Sequence, residues 1–249
     1  MQMLAGLSVL LFIVVGSAVG VRMLALARRT GGRPERLMGA GMVLICALGY
    51  PGSLLSGFGK GSVGEVVVPA WALSTCLTQL GIGSIWLFTG AVFRPGVPWA
   101  RVLTGAGLGA LVASYLGTGV VLLTAPEHVS CNAATRGWML LGMVGYAGSF
   151  AWTAVEGLLQ RRMALRRLAL GLADPVVANR FLLWGLFGLM ATGINAVSAV
   201  GVQLGRDPAT SLLILFPMGV LGAAASALMY LAFFPPAWYV GWLRRPVAA

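Results

Sequence analysis

The chain has 249 residues, of which 59% are hydrophobic and only 9% charged. Soluble domains carry about 25% charged residues, so this composition excludes a water-solvated globular fold and indicates an integral membrane protein. The net charge of +11 is spread over short loops rather than a basic domain, which argues for topology and contact with anionic lipid head groups and against nucleic acid.

A helix that crosses a bilayer needs about 20 mostly apolar residues. Seven stretches qualify, near 3–27, 37–57, 66–93, 101–124, 137–160, 180–204 and 209–233. The expected fold is an all-α seven-transmembrane-helix bundle that occupies the chain as one domain. The first stretch has no basic leader and reads as a span rather than a removable signal. Pro34-Glu35 suits the opening turn of the second helix. Pro51, Gly57, Gly59, Gly61 and Pro69 blur the boundary between the second and third.

Signals near the end of the chain are sharper. Gly171 marks a stop for the fifth helix. Asp174-Pro175 and Asp207-Pro208 each place a capping side chain before a Pro at the first helical position, opening the sixth and seventh helices. The fifth helix then runs from about Arg136 to Gly171 and the sixth from about Pro175 to Leu204. At 1.5 Å per residue both exceed a hydrocarbon core of about 30 Å. Residues 161–180 are therefore expected to project as a cytoplasmic helical hairpin. Ala164, Leu165, Leu168, Ala169 and Leu172 share one face of it, opposite Arg162, Arg166 and Arg167. An apolar stripe in a polar setting must pack on something. The three arginines and Arg180 are thus candidate contacts for a cytoplasmic or membrane protein partner, or for lipid. Pro235-Pro236 ends the seventh helix, and 235–249 reads as an interfacial tail carrying Trp238, Tyr239, Trp242, Arg244 and Arg245.

Of the 17 basic residues, all but Lys60, Arg136 and Arg206 fall in one alternating set of loops and span ends. Cytoplasmic loops hold the Lys and Arg excess. This predicts an outside N-terminus and a cytoplasmic C-terminus in the inner membrane of a bacterium.

Polar groups within spans are the default functional candidates. Gln79 with Thr75, Asn195 with Ser198, and the deep Trp152 and Trp184 either line a midplane polar pocket or serve only interhelical contacts. Glu156 is the one carboxylate well inside a span and is expected to pair with Arg161, Arg162 or Arg180. No cofactor or metal site is expected. His128 is the only histidine, and beside Cys131 it is too little for zinc or a bis-histidine haem. The only lysine, Lys60, lies in a loop, so no intramembrane amine exists to bind retinal. Hydrolase and phosphate-loop patterns do not occur, and enzymatic activity is not expected. Gly16-xxx-Gly20 and Gly105-xxx-Gly109 suit close helix packing, within the chain or in a homo- or hetero-oligomer.

The segments RRMALRRLALGLADPVVANRFLLWG (161–185) and LAFFPPAWYVGWLRR (231–245) resemble parts of bacterial seven-helix membrane proteins with no assigned activity. The resemblance implies the fold and no chemistry. The topology is similar to that of G-protein-coupled receptors and bacterial sensor input domains, an analogy of architecture. Two functional readings follow. One is a non-enzymatic, receptor-like sensor or partner-binding subunit coupled through the basic hairpin. The other is a small-solute transporter with a midplane polar site.

Overall fold

A computed structural model describes residues 2–57, 66–125, 131–206 and 211–244. In chain order it comprises α1 (Gln2–Thr30), α2 (Arg33–Met42), a π-helical segment (Val43–Gly49), α3 (Tyr50–Ser56), α4 (Val68–Phe93), α5 (Pro98–Thr124), α6 (Cys131–Ala169), α7 (Pro175–Gln203), α8 (Leu212–Phe233) and α9 (Ala237–Leu243). No strand occurs among the described residues. Seven helical lengths are long and apolar enough to cross a membrane, the second being the composite Arg33–Ser56. The protein is a seven-helix, multi-pass membrane bundle. Successive spans pack side by side, and α8 returns to α1, so the spans close a ring in chain order. One end holds the start of α1 and is called here the N-terminal end. The opposite end carries α9 and is called the tail end.

Local chemistry explains the element boundaries. Pro51 lacks an N–H and crowds the preceding turn. The helix widens before it, with the Tyr50 N–H reaching Ile45 O. Gly171 takes φ 70° and ends α6. The N–H of Leu172 then closes on Arg167 O at 2.9 Å. Asp174 caps α7, its Oδ1 accepting from the Val176 N–H at 2.8 Å. The expected opening of the last span at Asp207-Pro208 lies outside the described residues, as do Lys60, His128 and Arg245.

The long hairpin is present: α6 has 39 residues, a length of about 58 Å. Its apolar stripe differs from expectation. Ala164 is buried and Leu168 half-buried, whereas Leu165, Ala169 and Leu172 are exposed. A single neighbour, α7, covers a narrower strip than the stripe spans. The α6–α7 seam is tight because glycines line it: a Cβ at Gly188 would lie 2.7 Å from Phe150 O. Gly16 and Gly20 are likewise consumed inside the bundle, facing Cys46 and Val43, while a Cβ at Gly105 or Gly109 would meet open space.

The tail folds back on the bundle. The Asn179 Nδ2 donates to the Tyr239 hydroxyl at 2.8 Å, and Arg244 pairs with Asp174 at 3.0 Å. Trp238 and Trp242 remain exposed on α9. Trp71 is buried and stacked on Tyr115 at 5.5 Å.

Candidate functional site

A cavity of about 260 Å³ lies in the N-terminal half of the ring, between α1, the second span, α4, α6, α7 and α8. Both helix irregularities of the bundle interior border it. Ile45 and Tyr50 come from the π segment and its end, and Leu215, Met218 and Gly219 flank Pro217 within α8. The π segment widens the regular ladder and Pro217 removes one of its donors, and π segments recur at functional sites. The wall is largely aromatic and aliphatic, with Phe12, Tyr50, Tyr146 and Phe150, and its polar groups are Ser8, Thr78, Asn195, Ser198 and the two tyrosines. Among the described residues no charged side chain lines it. Asn195 donates to Ala191 O at 2.8 Å, which holds its amide against α7. Ser198 reaches the Met218 sulfur at 3.6 Å across to α8.

The expected polar set is thus divided. Asn195 and Ser198 share the cavity. Gln79 and Thr75 are half-buried on α4 and do not line it; Thr78 does. Successive helical residues point about 100° apart, so a neighbour in sequence faces elsewhere. Trp152 and Trp184 lie in two further places.

Below the cavity is a dry layer. Val19, Met42, Ile85, Phe187 and Met229 are each at most 1% exposed. Each comes from a different span, Val19 two turns and the other four about one turn from residues of the cavity wall. Phe187 joins the two sides: its ring meets Phe150 edge-on at 5.9 Å and stacks on Trp184 at 5.1 Å.

On the far side of the layer a second cavity of about 450 Å³ faces the tail end. Arg22 and Arg180 lie in its wall, among Met38, Phe88, Phe93, Trp184 and Phe233. Arg22 is anchored by donation to Phe233 O at 2.6 Å and lies over the Phe234 ring at 4.8 Å. The Trp184 Nε1–H is buried without an acceptor.

Glu156 is 2% exposed, and its partner differs from expectation. The carboxylate accepts from Arg94 Nε at 2.7 Å and from Trp152 Nε1 at 3.2 Å. Arg161 and Arg162 lie five and six residues further along α6 and point to other sides of the helix. Arg94 instead closes α4 directly opposite, with its guanidinium 5.7 Å from the Trp99 ring. One turn deeper, Thr89 and Thr153 share a hydrogen bond of 2.9 Å. This column locks α4 to α6. Trp152 belongs to it, not to a cavity.

Arg162 and Arg166 are exposed on the hairpin, and Arg167 is exposed beside the groove between its two helices. A groove of about 430 Å³ runs between the ends of α6 and α7, past Ala164, Arg167, Leu172, Asp174 and Val177. Asp174 is held below the usual carboxylate range, first by the Val176 N–H and then by Arg244. Among the described residues no group of three His, Cys, Asp or Glu side chains is placed to hold a metal. The sequence pattern missed Tyr50 and Tyr146, although a Tyr adjoining Pro51 inside a span was a visible signal.

No family model matches the chain, and comparison with curated proteins and with solved structures finds no match.

Proposed function

We propose that the chain is a non-enzymatic, receptor-like sensor of the bacterial inner membrane. It takes a small uncharged ligand in the N-terminal-end cavity and couples occupancy to the α6–α7 hairpin. The N-terminal end faces outward, and the arginine-rich tail end faces the cytoplasm. The carrying observation is the convergence of the π segment and Pro217 on one cavity whose described wall carries no charge. An ion moved there from water would lack a counter-charge, so a neutral molecule with one or two polar groups is favoured. Coupling has a physical path, because Phe187 touches both the cavity-lining Phe150 and Trp184 on the same helix, α7, whose start forms half of the hairpin.

The alternative, a small-solute carrier, draws on the two cavities separated by a dry layer. Carriers with inverted three-helix repeats break corresponding helices of the two halves. Here the breaks fall in the second and seventh spans, which do not correspond about a central fourth span.

Indole, a neutral ring with one polar N–H, is a suitable probe in neutral-detergent micelles. Saturable stabilisation by indole, absent for the anionic indole-3-acetate and abolished by Gly222→Phe, is the expected result. A fluorophore on Leu170→Cys, with Cys76 and Cys131 changed to Ser, should report hairpin movement at the same indole concentrations. Equal binding of the acetate, or indifference to Gly222→Phe, would refute the neutral cavity. Saturable indole flux into liposomes with a silent hairpin would favour the carrier.

A further inference from the structure

We propose that the tail-end cavity binds a single-chain anionic amphiphile, its acidic head between Arg22 and Arg180 and its chain against Phe88, Phe93 and Trp184. This rests on a different cavity from the proposed sensor site and stands independently of it.

Charge is the first argument. The cavity wall holds two guanidinium groups and no carboxylate. Among the described residues Arg180 makes no hydrogen bond or ion pair, and the carboxylate that acts on it, Asp174, lies outside the cavity wall and is already paired with Arg244. Arg22 is held at the rim by its bond to Phe233 O and its place over the Phe234 ring, so its position is set before any ligand arrives. Guanidinium forks match carboxylate and phosphate oxygens with paired hydrogen bonds.

A second, separate observation is the Trp184 indole N–H. The residue is 7% exposed and forms part of the wall, yet its Nε1 has no acceptor. A buried donor left unpaired is unfavourable, and an occupant carrying oxygen atoms would relieve it.

The remaining wall selects among anions. Phe88, Phe93 and Phe233 present apolar surface that a bare inorganic anion would leave unused. An uncharged chain would leave both arginines unmatched. Leu26 and Val92 line the same cavity and are 42% and 37% exposed, so they extend its apolar wall. The occupant that satisfies all three conditions is a membrane-derived molecule with one acidic head and one chain.

The test uses the full chain in neutral maltoside micelles, with laurate, dodecanol and inorganic phosphate as probes and the thermal unfolding midpoint as the readout. Laurate should raise the midpoint saturably, while dodecanol and phosphate at equal concentration should not. Arg180→Gln should weaken the laurate response about tenfold or more, the loss of a charge-assisted pair. Trp184→Phe, which keeps the ring wall and removes the N–H, should weaken it several-fold. Arg167→Gln, outside the cavity wall, should leave it unchanged and so separates the site from general attraction to a basic surface. Dodecanol matching laurate would overturn the head-group assignment, and phosphate matching laurate would overturn the chain. An equal response in Arg180→Gln, or an equal loss in Arg167→Gln, would overturn the site.

Discussion

Arg94→Ala should strand a buried carboxylate, and the cost can be worked from the α4–α6 column. Glu156 is 2% exposed and Arg94 37%, with Nε and Oε1 2.7 Å apart. Once the guanidinium is gone, Glu156 keeps only the Trp152 N–H at 3.2 Å, and its Oε2 already has no partner. Removing one member of a buried pair costs about 3–5 kcal/mol. Arg94 retains part of its hydration, which places the figure at the lower end, about 3 kcal/mol. Glu156→Gln keeps an oxygen facing both donors and strands no carboxylate, so its cost is about 1 kcal/mol. The double variant has no stranded charge either and should also lose about 1 kcal/mol, making it more stable than Arg94→Ala alone. Equilibrium unfolding in mixed SDS and neutral-detergent micelles, followed by far-ultraviolet ellipticity, measures all four corners of the cycle. A double variant less stable than Arg94→Ala would refute the stranded-charge reasoning.

Two further expectations are independent of the ligands. Asp174 is held below its ordinary value of 3.8 by the Val176 N–H and Arg244, so its stabilising contribution is complete above that value and is lost as pH falls through the lower folded value. The protection of the 237–243 amides, measured by hydrogen exchange relative to the intrinsic rate at each pH, should therefore fall at acid pH in the native chain and show no such step in Asp174→Asn. Gly188→Ala would set a Cβ 2.7 Å from Phe150 O and 2.9 Å from Ala154 N, both backbone atoms that cannot rotate aside. The α6–α7 seam must then open, and the same unfolding assay should show a loss of about 1–3 kcal/mol.

Much of the fold was legible because it is written in local chemistry. Asp174-Pro175 and Gly171 declare helix ends through groups a few residues away, and both operate as their residue types require. Hydropathy alone marks the seven spans. What was not legible depends on rotation about helix axes and on distant partners. Gln79 was the more polar candidate, but the cavity takes Thr78, a difference of one residue and a wholly different direction. Glu156 found its partner 62 residues away in Arg94, at the end of a helix whose packing no local pattern reveals. Asn195 and Ser198 were placed together because they lie three residues apart on one helix, a relation the sequence does contain. Trp152 and Trp184 were both read as deep, and both are, yet the seam between them assigns one to an ion-pair column and the other to a cavity.

The π segment changes the phase of the second span. Each π turn accommodates one more residue than an α turn, so everything after Val43–Gly49 is rotated by about 100° relative to an unbroken α-helix. Tyr50 faces the cavity in this phase. If the segment tightened to α geometry, α3 would turn about its axis, Tyr50 would swing toward a neighbouring helix or the lipid, and the wall would lose one of its two phenols. The π phase of the second span thus decides which of its side chains completes the cavity wall.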